Sequence, residues 1–267
     1  MNNFASEVSS RVASYETDLE MRSKAHDFML ASFKAQYSYN FSWLGRPIIQ
    51  YPQDVMAMQE IIWRVQPDLV IETGIAHGGS LIMSASMLAL LDYCDAVSSG
   101  KALAPQATRQ RVLAVDIDIR PHNREAIEAH PMSHRIDMIQ GSSIAPEVIT
   151  QVHEAAKRHE RVLVCLDSNH THAHVLAELE AYAPLTSMGS YCCVFDTVVE
   201  DLPGEMCSDR PWGKGDNPKT AVREYLRSLK ARGGLGADGA PLDFEIDKAI
   251  EQALQITVAP DGYLRRI

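Results

Sequence analysis

The stretch DLVIETGIAHGGS, residues 68–80, reads as a strand that runs into a glycine turn and then opens a helix. Leu69, Val70 and Ile71 form a short apolar run, Glu72 closes it, and Gly74 and Gly78 follow in an E-x-G-x-x-x-G pattern before a helix starts near Gly79 and Ser80. Glycines in such a turn let backbone N–H groups come close to a ligand at a helix N-terminus. A dinucleotide site uses G-x-G-x-x-G to seat a pyrophosphate. The wider spacing here, with an acid ahead of the first glycine, suits a ligand with an ammonium group and no phosphate at that point. S-adenosylmethionine (SAM), whose amino acid end carries an ammonium and a carboxylate, has that chemistry. Glu72, Gly74, His77, Gly78 and Ser80 are therefore the expected cofactor-binding residues of the turn.

Outward from this stretch, strands and helices alternate. Strands are predicted at 68–73, 111–117, 135–140, 161–167 and 190–197, with helices at about 79–93, 122–129, 145–157 and 172–182. Short, nearly all-apolar strands separated by helices imply a parallel sheet covered on both faces. Asn217-Pro218 marks a capped helix start, GGLGADGA (233–240) a loop, and DFEIDKAIEQ and LQITVAPDGYLRRI two further strand-like pieces with a turn at Asp261-Gly262. Residues 1–54 read as a helical lid and loop extension: Val8, Val12, Tyr15 and Leu19, then Phe28, Met29 and Phe33, give amphipathic helix, and the aromatic-rich segment 37–54 an ordered loop. Asp54 is the expected start of the next helix, and residues 55–267 the main domain.

The chain has 267 residues, 46% hydrophobic and 22% charged, which suits a soluble globular protein. A net charge of −10 argues against nucleic acid as a partner. The N-terminus lacks the basic and apolar regions of a signal peptide, and the longest uncharged apolar run, Leu81 to Leu91, is about half of the ~20 residues needed to cross a bilayer. Five cysteines without a C-x-x-C pair read as reduced thiols. A cytoplasmic protein without a membrane span is expected, and the N-terminal helix suggests a homo-oligomer.

Three more groups carry chemistry. Asp116 ends the second strand, where an acid can bind both ribose hydroxyls of a nucleotide-type ligand, with Asp118 a competitor. Asp167 and Asp196 end two later strands, and two carboxylates at the carboxyl edge of a parallel sheet suggest a hard divalent cation such as Mg²⁺. His170, followed by His172 and His174, offers an imidazole that can take a proton from a hydroxyl or bind a metal.

Taken together, NFSWLGRPIIQYPQD (40–54), VIETGIAHGGS (70–80), VDIDIRPHN (115–123), LDSNHTHAHVLAELEAYAPL (166–185) and GSYCCVFDTVVEDLP (189–203) resemble the cephalosporin hydroxylase family, whose members look like SAM-dependent O-methyltransferases similar to rhamnosyl and macrolide-sugar O-methyltransferases. The resemblance implies a Rossmann-like class I methyltransferase fold, a mostly parallel seven-stranded sheet with helices on both faces. It implies that the Glu72–Gly78 turn holds the methionine end of SAM and Asp116 the ribose. Asp167 and Asp196 become metal ligands for Mg²⁺, with Asp167 and His170 the catalytic residues and His170 the base. Relatives carry an acid pair where this chain has Phe195-Asp196, so Thr197, Glu200, Asp201 or a water would have to replace the missing oxygen. The usual Gly-Asp after the third strand is Gly141-Ser142-Ser143, so Ser142 and Ser143 are the expected adenine contacts.

The implied reaction is Mg²⁺-assisted methylation of a sugar hydroxyl in a glycolipid, O-antigen or glycosylated natural product. Tyr39, Trp43, Arg46 and Trp212 are candidate walls of the acceptor site. Two rivals are an iron-dependent hydroxylase built on His77, His170 and Asp167, and a non-catalytic SAM-binding protein whose metal site has decayed at Phe195.

Overall fold

The computed structural model describes residues 3–267. In chain order the elements are α1 (Asn3–Tyr15), α2 (Leu19–Lys34), β1 (Phe41–Trp43), β2 (Arg46–Ile48), α3 (Pro52–Val65), β3 (Leu69–Thr73), α4 (Gly79–Ser99), β4 (Arg111–Asp116), α5 (Pro121–Glu128), β5 (Ile136–Gln140), α6 (Pro146–Ala156) and β6 (Val162–Leu166). They continue with α7 (His172–Tyr182), β7 (Tyr191–Val194), α8 (Pro218–Arg232), β8 (Phe244–Ile246), α9 (Lys248–Leu254) and β9 (Tyr263–Arg266). The five central strands and the helices between them fall where the apolar runs predict.

Seven strands form one sheet in the order β5-β4-β3-β6-β7-β9-β8, parallel except for β9, which runs antiparallel to both neighbours. The chain enters at β3, winds outward through β4 and β5, then returns to β6 on the other side of β3. That reversal creates a crevice at the carboxyl ends of β3 and β6, the usual ligand position in open parallel sheets. Backbone bonds carry the strand ends into register: Gly74 N–H donates to the Val115 carbonyl (2.8 Å), Asp167 N–H to that of Thr73 (3.0 Å), and Phe195 N–H to that of Leu166 (3.0 Å).

Alternation along the strands divides the core. Val70, Val112, Ala114, Leu163, Cys165 and Cys193 pack with α3 and α4, while Leu69, Ile71, Leu113, Val164, Leu166 and Val194 pack with α6, α7 and α8. Both faces are therefore dry, as continuous apolar strands require. Helix α4 is 21 residues long and, taken whole, long and apolar enough to cross a membrane, although its uncharged run is short. Here half of that stretch is buried in the core. Helix α8 begins with a reciprocal capping box between Asn217 and Thr220, and Pro218 sits in its first turn. All five cysteines are free.

The loop expected over 37–54 contains more regular structure than its composition suggests. β1 and β2 form a hairpin whose turn residues, Leu44 and Gly45, both have positive φ (45° and 86°), as a type I′ turn requires. Helix α3 starts at Pro52, behind Tyr51, and Asp54 is not its cap. The expected boundary at 54/55 lies inside this helix. The Asp54 carboxylate is fully buried and accepts from the Thr257 hydroxyl, the Val258 N–H (3.0 Å) and the Tyr263 hydroxyl (2.6 Å), tying α3 to the last segment of the chain.

Burial pushes the Asp54 carboxyl up to about 6, against hydrogen bonds that pull it down. Its folded value thus lies above the unfolded value of about 3.9, so the folded state holds the proton more tightly. The Asp54 contribution to stability is full below about pH 4 and declines as pH rises towards 6. We expect Asp54→Ala, which leaves three buried donors unpaired, to lower the unfolding free energy by about 3 kcal/mol in denaturant titrations. Asp54→Asn should flatten the stability profile between pH 4 and 6.

Candidate functional site

The glycine turn after β3 is shaped by what surrounds it. Gly74 has φ 89°, and a Cβ there would stand 2.2 Å from the Asp167 carbonyl oxygen. A Cβ on Gly78, φ 81°, would strike Ile127 of α5, and one on Gly79 would meet the Pro47 carbonyl at 2.2 Å. The turn is thus pressed between β6, α5 and β2, with no room for side chains at these positions.

Side chains from elsewhere hold it. Asp116 at the end of β4 accepts from the Ile75 N–H (2.7 Å) through Oδ2 and from the Asp118 N–H (3.0 Å) through Oδ1. Arg46 of β2 donates through Nε and Nη2 to the His77 carbonyl (3.0 and 2.6 Å) and through Nη2 to Asn123 (3.1 Å), whose amide donates to the Ala76 carbonyl (2.9 Å). Arg46 is therefore a clamp on the turn. Trp43 donates to Ser86 of α4 (2.9 Å), and Tyr39 is exposed. Of the four candidate acceptor walls, Trp212 stands beside the expected base: its ring meets the His170 ring edge-on at 4.8 Å.

A cavity of about 150 Å³ lies at this edge, lined by Gly74, His77, Gly79, Ser80, Asp116 and Asp167 and by the segment Pro47–Gln50. Asp116 lines it, whereas Asp118 is exposed and does not. Sites for small ligands usually run from about 300 Å³. The segment Pro47–Gln50 lines one side of this cavity and contributes to its small volume. Gln50, part of that segment, has its Oε1 buried without a hydrogen-bond partner, while its amide lies 3.4 Å from Asp167 Oδ2. An orphaned buried acceptor beside a half-buried acid suits an incoming cationic donor such as an ammonium group.

Glu72 is 5% exposed and accepts from the Ser80 hydroxyl. Burial pushes its carboxyl up to about 7, against that hydrogen bond. Neither Ser142 nor Ser143 lines the cavity. Ser143 is engaged elsewhere: its hydroxyl meets His174 Nε2 (3.0 Å) and its carbonyl accepts from Tyr182.

Next to this cavity, Asp167, His170 and Asp196 converge, with one ligand atom from each within 4.8 Å of the others. His170 Nε2 lies 3.2 Å from Asp196 Oδ2, and Asp196 reaches this position through a left-handed backbone, φ 54°. Burial, then the carboxylates of Asp196, Glu72, Glu178 and Asp54, hold the Asp167 carboxyl well above its usual range. Such a group gains most from a cation. His77 is not part of this cluster, so the two-histidine triad of an iron site is not formed. His172 is occupied by Thr220 (2.8 Å) and Glu224 (3.2 Å), and His174 by Ser143 and Ser168.

The substitutes proposed for the missing acid are also occupied. Phe195 is buried in the core, Thr197 donates to the Pro260 carbonyl, Glu200 accepts from Gly215 and Asn217, and Asp201 pairs with Lys219. Sequence reasoning missed Asn123, Gln50 and Asp54. Asn123 and Gln50 stand within quoted segments, but their hydrogen bonds cross long sequence distances that no local pattern reveals.

A family model described as Rhamnosyl O-methyltransferase/CmcI matches residues 35–267. The chain is 26% identical over 265 residues to a rhamnosyl O-methyltransferase of Mycobacterium tuberculosis, covering 96% of this chain and 91% of that protein. It is 28% identical over 228 residues to the rhamnosyl O-methyltransferase of Mycobacterium leprae, covering 84% and 82%. The structure is similar to that of CmcI-N160 in its apo form, with a TM-score of 0.51 at 15% identity over 86% of this chain and 77% of the other.

We expect Gly74→Ala to abolish SAM binding, measured by calorimetry, and to lower the melting temperature. Its methyl cannot fit against the Asp167 carbonyl, and positive φ adds about 1 kcal/mol or more of strain.

Proposed function

Because this chain belongs to the rhamnosyl O-methyltransferase/CmcI family, and is on that ground a sugar O-methyltransferase, we propose that it moves the methyl group of SAM to a hydroxyl of a deoxyhexose such as a rhamnosyl unit, with help from a divalent cation, Mg²⁺ by expectation. The observation that supports this reading best is the convergence of Asp167, His170 and Asp196 beside the Glu72–Ser80 turn.

SAM supplies an electrophilic methyl group on a sulfonium. Glu72, with its elevated pKa, and the orphaned Gln50 carbonyl offer acceptors to an ammonium group, and Asp116 offers a carboxylate for ribose hydroxyls. Asp167 and Asp196 would hold a divalent cation, which would lower the pKa of an acceptor hydroxyl bound to it. The acceptor hydroxyl loses its proton within the same cluster, where His170 offers one imidazole nitrogen that can either take the proton or bind the cation. The methyl carbon then leaves sulfur for the acceptor oxygen. Holding the two in line supplies much of the acceleration.

The deciding experiment incubates the protein with methyl-labelled SAM and rhamnosyl glycans, with and without chelator, and follows mass gain on the glycan. We expect Asp167→Ala and Asp196→Ala to lower kcat/KM by about 10² or more while SAM affinity stays within a few-fold. Unchanged turnover in both variants would remove the cluster from the mechanism.

Glu72 gives a second check. In the free protein its carboxyl is largely protonated below about pH 7, and a bound ammonium favours the carboxylate. SAM binding should therefore release a proton at pH 6, and affinity should weaken as pH falls below 7. Calorimetry in buffers of different ionisation enthalpy reads both effects, and Glu72→Gln should abolish the proton release.

A further inference from the structure

We infer that His170 is a nitrogen ligand of the cation site, so that one imidazole and two carboxylates form its protein shell and the site prefers Mn²⁺ to Mg²⁺. The inference rests on the cation reading of the Asp167 cluster given above.

Three observations carry it. His170 supplies one of the three mutually close ligand atoms, and among the described residues no other His, Cys, Asp or Glu joins them. The residue ahead of Asp196 is Phe195, whose ring is 5% exposed in the core with Val198 and Tyr263. Thr197, Glu200 and Asp201 are each held by other partners, so none of the three is free to complete the shell.

The imidazole is also held in place. Its ring meets Trp212 edge-on, at 84° and 4.8 Å between centroids, and the Arg210 guanidinium lies over the Trp212 ring, 5.7 Å from its centroid. The side chain is 15% exposed, and Asp196 Oδ2 stands 3.2 Å from Nε2. A ligand fixed in this way loses little freedom on binding a metal. Mg²⁺ demands oxygen donors and near-ideal octahedral geometry. Exchanging one carboxylate for an imidazole favours first-row transition cations, of which Mn²⁺ still accepts carboxylates readily. Once its nitrogen is bound, His170 cannot also take the acceptor proton.

The test is calorimetry of MnCl₂ and MgCl₂ with the full chain, together with pulsed EPR of the Mn²⁺ complex for nitrogen coupling. The wild type should bind Mn²⁺ at least about tenfold more tightly than Mg²⁺ and show a directly coupled ¹⁴N. His170→Ala should weaken Mn²⁺ binding about tenfold or more and remove the coupling, with thermal melting checking that the variant is folded. His170→Asp, which restores an all-oxygen shell, should erase or reverse the preference for Mn²⁺. Mn²⁺ binding without ¹⁴N coupling, or unchanged in His170→Ala, overturns the ligand role and leaves the cation reading standing. No cation binding by the wild type, with methyl transfer intact under chelation, overturns both.

Discussion

Gly74 lies against the carbonyl of Asp167 so closely that a single methyl group would stand 2.2 Å from the oxygen. This contact joins the end of β3 to the end of β6 and thereby the Glu72–Ser80 turn to the Asp167–His170–Asp196 cluster. It exists because Gly74 continues the β3 ladder by bonding to Val115, while Asp167 continues the β6 ladder by bonding to Thr73. Two parallel strands in register leave their next residues side by side. Only a residue without a Cβ, and free to take φ 89°, lets the chain turn away at once into α4. Reaction geometry in this fold is thus set by the sheet register, and the side chains of the site inherit it.

The register also concentrates negative charge. Glu72, Asp167 and Asp196 end neighbouring strands, and Asp54 is buried behind them. Burial raises the cost of ionising Glu72, Asp54 and Asp167, and neighbouring carboxylates raise it further at Asp167 and Asp54. Only Asp54 is compensated internally, by three donors. Glu72 has a single hydroxyl, and Asp167 a long contact to Gln50. The uncompensated pair divides the site by chemistry: a cationic ligand at the turn would relieve Glu72, and a cation between the later strands would relieve Asp167. The free protein therefore carries an electrostatic cost that positive charge bound at these two places would remove.

Much of this was legible in the sequence. The strand ends Glu72, Asp116, Asp167 and Asp196 could be placed because a strand followed by a helix declares its own carboxyl edge, and β-strand period and helix spacing are local properties. The proximity of His170 to Asp167 follows from three residues of separation. Contacts between distant segments were not legible. Arg46, expected as a wall of the acceptor site, instead reaches the turn from 31 residues away, and Asn123, which looks in sequence like an ordinary polar residue of a helix start, reaches it from 47. Asp54 reads as a helix cap, since aspartate near a helix start usually is one. Its partners lie more than 200 residues later, so no local pattern could reveal a buried knot.

Phe195 shows how one substitution is absorbed by packing and chemistry together. A carboxylate at this position would have to ionise beside Asp196 and among the apolar side chains that now surround the ring. The aromatic ring instead extends the core to the edge of the site and lines the small recess beneath Glu72 and Asp167 with Met58, Met83 and Cys165. One fewer negative charge also lessens the repulsion that already raises the Asp167 carboxyl. An imidazole is neutral, and its nitrogen lone pair adds a donor without adding charge. With Phe195 in the core and His170, 15% exposed, beside Asp196, the chain brings three possible donor atoms together with only two carboxylates among them, so less like-charge repulsion opposes their convergence.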